Sequence, residues 1–320
     1  MSVATGPPDV LAERRARAAR TVAPFADEYP FEGRWHDLGG AWMHYLDQGP
    51  EDAAPLLCLH GNPTWSFFFR RFARELAGAH RMIVPDHVGC GLSDKPQDWP
   101  YTLEQHVLDL ERLVLALDLR RITLVLHDWG GAIGMGLARR HPDRIARLLV
   151  LNTAAFPSRA IPLRISICRI PVLGELAVRG LGGFSRAALG MAVEKPLSRA
   201  ARRAYLAPYD SWKNRVATLA FVHDIPLDPG HPSYSELRAI GDALAGFADR
   251  PACIVWGERD WCFTPAFREE WQRRLPAAEV HPLADAGHYV MEDAGERVIA
   301  IAREFLARRA PAAAREGARP

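Results

Sequence analysis

The 320-residue chain lacks the features that announce several large classes of protein. No apolar run reaches the roughly 20 residues needed to cross a bilayer, and the N-terminus carries no uninterrupted apolar segment of the kind a secretory signal needs. The 40 Lys and Arg nearly balance the 38 Asp and Glu, and a net charge of +2 is too even for nucleic acid to be the main partner. Five cysteines (Cys58, Cys90, Cys168, Cys253 and Cys262) are odd in number and form no CxxC pair. Most are expected to be reduced, buried thiols of a cytoplasmic protein. The histidines show neither HxxxH nor HExxH spacing, and no GxGxxG or Walker pattern occurs, so neither a metal nor another cofactor is expected.

What the sequence does contain is an alternation. Apolar runs bounded by turn residues stand at 55–63 (PLLCLHGNP), 81–86 (RMIVPD), 122–128 (ITLVLHD), 147–153 (RLLVLNT) and 251–260 (PACIVWGERD). Stretches of helical period, 102–119 and 131–142, lie between them. Strands alternating with helices predict an α/β fold, a mostly parallel sheet flanked by helices, whose ligands bind at the carboxyl ends of the strands. The rhythm lapses from 154 to 246, which reads as a helical cap inserted over that end. The core then comprises 29–153 and 247–309. Residues 1–28 read as an N-terminal arm, basic between 10 and 20 and largely solvated, and 310–320 as a disordered tail.

The segment LHDWGG puts a carboxylate, Asp128, where an apolar strand breaks into glycines. A strand entering a helix through small residues is the nucleophile elbow of α/β-hydrolases, here with aspartate in place of serine and Leu126 in place of the first glycine. A helix-capping aspartate is the competing reading. Asp260, just past a strand, and His288, in a Gly-containing loop before the last helix, complete the order nucleophile, acid, histidine. A carboxylate is ionised at neutral pH without a base, which leaves His288, oriented by Asp260, free to activate water. In the HGNPTW segment Asn62 offers an amide donor, and Trp129 offers an indole N–H, a pair suited to a departing anion. A turn asparagine and a packed tryptophan are the bland alternatives.

Taken together, HGNPTWS, PDHVGCGLSDKP, HDWGGAIG, WGERDWCFTP and DAGHYV resemble the haloalkane dehalogenase-like α/β-hydrolases over residues 30–308. The resemblance implies Asp128 as nucleophile, His288 as base, Asp260 as acid, and Asn62 with Trp129 as the anion-binding pair. One subfamily carries its acid as glutamate after the strand that here ends LLVLNT; Asn152 stands there, which leaves the role to Asp260. GCGLSDKP, PYDSWKNR and DIPLDPGHPSY look most like the third subfamily, which includes the β-lactone decarboxylases of bacterial long-chain olefin biosynthesis. That implies conversion of a cis-3,4-dialkyl oxetan-2-one to an alkene and carbon dioxide, on a hydrophobic small-molecule substrate, in the company of other olefin-synthesis enzymes.

The alternatives are a hydrolytic haloalkane dehalogenase and, more remotely, an epoxide hydrolase using Tyr205, Tyr209 or Tyr234 as acids. A catalytically silent binding protein is the reading from another class. Ile161, Leu163, Ile165, Ile167, Leu173, Leu176, Leu181, Phe184 and Met191 are expected to line a wide apolar cleft under the cap.

Overall fold

The computed structural model describes residues 8–308. Its centre is an eight-stranded sheet: β1 (Gly33–Asp37), β2 (Trp42–Gln48), β3 (Pro55–Leu59), β4 (Arg81–Pro85), β5 (Ile122–Asp128), β6 (Ile145–Thr153), β7 (Ala252–Gly257) and β8 (Glu279–Leu283). The spatial order is β1-β2-β4-β3-β5-β6-β7-β8, antiparallel across β1, β2 and β4 and parallel from β4 to β8. Every residue of β3, β4, β5 and β7 is buried. Strands covered on both faces must read as unbroken apolar runs, which is why these were visible in the sequence.

β1, β2 and β8 were not. β1 and β8 each bury a single residue, β2 buries four between half-buried ends, and the His, Asp and Glu the three carry hide a strand signal.

On one face of the sheet pack α3 (Leu103–Ala116) and α4 (Trp129–Arg140), reached after α1 (Pro8–Val22) and α2 (Arg70–Leu76). The Thr102 hydroxyl caps α3 by accepting from the Gln105 N–H. α4 follows Asp128 directly, so strand and helix meet without a loop. The close packing of α4 is fixed by glycines: a Cβ on Gly130 would lie 2.1 Å from the Leu59 carbonyl oxygen, and one on Gly131 1.9 Å from Thr153 Oγ1.

Between β6 and β7 the chain runs through α5 (Leu163–Ile167), α6 (Leu173–Glu175), α7 (Gly183–Met191), α8 (Arg199–Leu206), α9 (Val216–His223) and α10 (Tyr234–Ala243). The last part of the chain adds α11 (Pro265–Arg274), α12 (Val290–Asp293) and α13 (Gly295–Ala307). The GLGG segment turns into α7 through Gly182, at a φ of +63°.

Residues 8–28 of the arm are largely exposed, and α1, which has no buried residue, is tethered to the core rather than packed into it. α1 is a regular helix fastened to the core: Arg14 and Arg17 pair with Asp94 at 2.5 and 3.2 Å, and the Arg14 guanidinium lies 4.9 Å above the Trp42 ring. Phe25 and Tyr29 are buried. The predicted tail at 310–320 lies outside the described residues. No helix among the described residues is long and apolar enough to cross a membrane. All five cysteines are unbridged; Cys58, Cys90 and Cys253 are buried, whereas Cys168 and Cys262 are only partly so.

Candidate active site

β5 ends by turning its backbone through a strained point. Asp128 has φ 51° and ψ −126°, a conformation that L residues adopt at a cost of about 1–3 kcal/mol and that cores retain where it aims a side chain. The capping alternative is overturned, because the Asp128 side chain accepts no capping bond from α4. Its Oδ1 instead receives the Asn62 backbone N–H at 2.7 Å, across from the loop after β3. That approach is possible only because residue 61 is glycine: a Cβ there would fall 1.8 Å from Oδ1.

His288 stands on the other side. Its Nε2 lies 3.7 Å from Asp128 Oδ2, and its Nδ1 bonds Asp260 Oδ2 at 2.8 Å. Asp260 accepts three more bonds, from the backbone N–H of Cys262 at 2.7 Å and of Phe263 at 3.0 Å, and from Asn152 Nδ2 at 3.0 Å. The structure thus brings Asp128, His288, Asp260, Asn62 and Trp129 to the carboxyl ends of β3, β5 and β7, where an α/β sheet binds its ligands.

Electrostatics follow from burial and from these neighbours. Burial pushes the Asp128 carboxyl above its ordinary range, opposed by His288 and by the backbone N–H groups of Trp129 and Asn62. Burial alone would lower the His288 imidazole, but the charge and hydrogen bond of Asp260, with Asp128 adding to them, raise it above its usual value. Oδ1 is held and Oδ2 is left facing the histidine, so Oδ2 is the oxygen free to react.

The two predicted donors are placed differently from each other. Trp129 lines the cavity above Asp128, and its indole N–H has no partner among the described residues. The Asn62 amide nitrogen donates to the Thr218 carbonyl at 3.1 Å, which uses one of its two N–H bonds. The second remains for a ligand.

The cavity encloses about 410 Å³. Ile161, Ile165, Ile167, Phe184 and Met191 of the expected cleft line it, together with Phe156, Trp261 and Phe263. Leu163, Leu173, Leu176 and Leu181 do not; they face solvent, because the chain between 163 and 181 folds into short turns whose outer side nothing covers. The epoxide hydrolase alternative loses its acids. Tyr205 O–H donates to Glu292 Oε1 at 2.6 Å and Tyr209 O–H to the Thr64 carbonyl at 3.0 Å, and neither they nor Tyr234 line the cavity.

The structural roles of two residues escaped the sequence reading. Asn152, at the end of β6, bonds both backbone groups of Gly257 as well as Asp260, and so ties the end of β7 to the acid. Its φ of 33° is one that asparagine tolerates better than most residues, a signal visible only once the backbone is known. His127 bonds the His288 carbonyl at 2.9 Å and stacks on Phe68 at 4.1 Å, which braces the loop that carries the base. Cys253, Glu279 and His281 come within metal-binding distance of one another at β7 and β8, but Arg308 already pairs with Glu279 and the trio lies away from the cavity.

Comparison with known proteins agrees with this geometry. Residues 54–166 match the family model of the alpha/beta hydrolase fold. The chain is 45% identical over 284 residues to a cis-3-alkyl-4-alkyloxetan-2-one decarboxylase of Shewanella oneidensis, covering 87% of this chain and 89% of that protein. It is 46% identical over 280 residues to the protein of the same name from Xanthomonas campestris pv. campestris, covering 84% and 93%. Among solved structures, the haloalkane dehalogenase DbeA from Bradyrhizobium elkani superposes with a TM-score of 0.80 at 28% identity, covering 86% of this chain and 98% of that one. The chain belongs to the haloalkane dehalogenase-like α/β-hydrolases, in one family with the two oxetanone decarboxylases.

Proposed function

We propose that the protein is a β-lactone decarboxylase that converts cis-3-alkyl-4-alkyloxetan-2-ones to cis-alkenes and carbon dioxide, with Asp128 as nucleophile. The observation that carries the reading is a carboxylate with one oxygen free, under an unpartnered indole N–H, at the floor of an apolar cavity. The high identity to two proteins named for this reaction gives the substrate class.

Asp128 Oδ2 attacks the alkyl carbon of the strained ring, C4. A C–O bond forms to the enzyme, the ring C4–O bond breaks, and its electron pair leaves as a carboxylate. Trp129 and the second N–H of Asn62 bind that anion. The C3–carboxylate bond then breaks, its electrons form the C3=C4 double bond, and the ester oxygen departs with its pair to restore Asp128. No proton moves and no water is consumed. His288, 3.7 Å away, stabilises the charge on Asp128 as it returns. The apolar walls exclude the water that would divert the ester to a hydroxy acid.

Hydrolytic dehalogenation is the second reading, favoured by one observation. The His288–Asp260 pair beside Asp128 has the arrangement an ester-hydrolysing base requires. Our reading places the enzyme in the cytoplasm, alongside the enzymes that form its lactone. Five unbridged cysteines support the compartment.

The test is to give the purified protein a cis-lactone with two long alkyl chains and, separately, 1-bromohexane, following alkene by gas chromatography and bromide by colorimetry. Alkene with little bromide is the expected result. Bromide release with the lactone untouched would replace this reading by the second.

A further inference from the structure

Helix α7 presents two faces to two different cavities. Phe184, Ala187, Ala188 and Met191, one helical stripe, line the cavity. Ser185, Arg186 and Leu189, on the opposite side, line a separate cleft of about 620 Å³ that shares no residue with it. The cleft is walled by Arg186, Arg199, Arg202, Arg203 and Arg215. Arg215 is committed to the carbonyls of Tyr209, Gly180 and Arg179. The other four have no carboxylate partner among the described residues, and the cleft's one acid, Asp210, accepts from Asn214. At its floor the Ser185 hydroxyl, 3% exposed, has no hydrogen-bond partner. Unpaired guanidinium groups around an unsatisfied buried hydroxyl are a site waiting for an anion with several acceptor oxygens.

Next to this cleft lies the apolar face that the cavity did not absorb. Leu163 is 75% exposed and Leu181 74%, and Ile170, Val172, Leu173 and Leu176 stand in solvent with them. Short-range bonds draw this stretch into one knob: the Gly174 N–H donates to the Ile170 carbonyl at 2.8 Å and the Leu181 N–H to the Leu176 carbonyl at 3.0 Å. Trp212, also exposed, lies under the Arg179 guanidinium and beside Gly180, which joins the knob to the cleft through Gly182 and Arg215. Single exposed leucines are ordinary, whereas a cluster of this kind marks a docking face. Its charge is lopsided as well. Residues 159–215 hold eleven Lys and Arg and three Asp and Glu, in a chain whose net charge is +2.

We propose that this face seats the protein on an anionic phospholipid surface, with a headgroup phosphate in the arginine cleft and the 163–181 knob set among the acyl chains. Basic side chains around an apolar ridge are complementary to such a surface and to its depth. Arg164 and Ile167 belong to the knob and also line the catalytic cavity, so the cavity opens toward the lipid. A substrate bearing two alkyl chains would then enter without crossing water; that consequence rests on the decarboxylase reading, and the binding itself does not.

The test is flotation of the full chain with vesicles of phosphatidylglycerol and phosphatidylethanolamine, against vesicles of phosphatidylcholine alone. At low salt the protein should float with the anionic vesicles at least tenfold better, and salt should weaken this. The triple variant Arg199→Glu, Arg202→Glu, Arg203→Glu should lose about tenfold or more. The double variant Leu173→Ser, Leu176→Ser should bind more weakly with the arginines intact. Thermal melts by circular dichroism confirm that both variants fold. Undiminished flotation of the folded triple variant overturns the proposal. So does tight binding of soluble glycerol phosphate with no effect of the leucine changes, which would make the cleft a free-phosphate site. Leucine-dependent oligomers that do not float would overturn it in favour of a second copy of the chain. Alkene formation from detergent-dissolved lactone is followed in parallel; its absence with flotation intact counts against the decarboxylase reading alone.

Discussion

Replacing His288 by glutamine separates the two chemistries that one set of residues is able to support. Glutamine keeps a donor for Asp260 but removes a positive charge whose Nε2 lies 3.7 Å from Asp128 Oδ2. A pair of unit charges about 4 Å apart interacts by about 4 kcal/mol at an effective dielectric of about 20. This is an upper bound on the support the carboxylate loses, because the imidazolium is shared with Asp260. Burial, the largest influence on Asp128, already raises its pKa, and without His288 only the backbone N–H groups of Trp129 and Asn62 oppose it. The nucleophile is the ionised form, so activity is present above this pKa and lost as pH falls through it. Raising the pKa moves the acid limb upward.

For His288→Gln, alkene formation should therefore be weaker at neutral pH and recover as the pH is raised, with the acid limb of kcat/KM displaced upward. Bromide release from a haloalkane should stop at about one equivalent per active site at every pH, because Asp128 expels the halide without a base and only hydrolysis of the resulting ester needs one. The pH dependence of kcat/KM for both substrates is the assay. Alkene formation abolished equally at all pH values, or an acid limb that does not move, would refute the reasoning.

Three further outcomes follow from the same geometry. Trp129→Phe keeps the ring and deletes the indole donor, and should lower kcat for the lactone by about 10²–10³ with little change in Tm, measured by steady-state kinetics and calorimetry. Asn152→Ala leaves both backbone groups of Gly257 and one bond to Asp260 unmade, and should cost about 1–3 kcal/mol in urea unfolding while lowering turnover. Many turnovers of lactone in water enriched in oxygen-18 should leave the Asp128 peptide unlabelled by mass spectrometry, since the ester oxygen departs as it arrived; incorporation of label would mean hydrolysis.

Legibility in the sequence tracked burial. β3, β5 and β7 are buried along their whole length, and their apolar runs, with the residues that follow them, indicated the fold class and pointed to Asn62, Asp128 and Asp260, whereas His288 was read from the Gly-containing loop before the last helix. β8 runs along the edge with one buried residue in five, β1 likewise buries one in five, and the buried run Met43–Leu46 of β2 is broken in sequence by His44, so none of the three stood out. The backbone N–H of Asn62 on Asp128 was invisible because only the side chain is written in a sequence, and the brace from Asn152 required two strand ends to be adjacent. Apolar composition likewise does not say which way a side chain faces. Phe184 and Leu181 were read alike, yet one lines the cavity and the other stands in solvent. The tether of α1 was not legible, because its anchor, Asp94, lies far along the chain.

The central claim, that Asp128 opens the lactone, is tested most directly by single-turnover reaction of a cis-3,4-dialkyl oxetan-2-one with the wild-type protein and with Asp128→Asn. Asparagine keeps the size of the side chain and an oxygen for the Asn62 N–H, so the variant should fold as the parent does. The account predicts cis-alkene from the wild type and a rate at least about 10³-fold lower from the variant. Alkene formation by folded Asp128→Asn within tenfold of the wild type would contradict it.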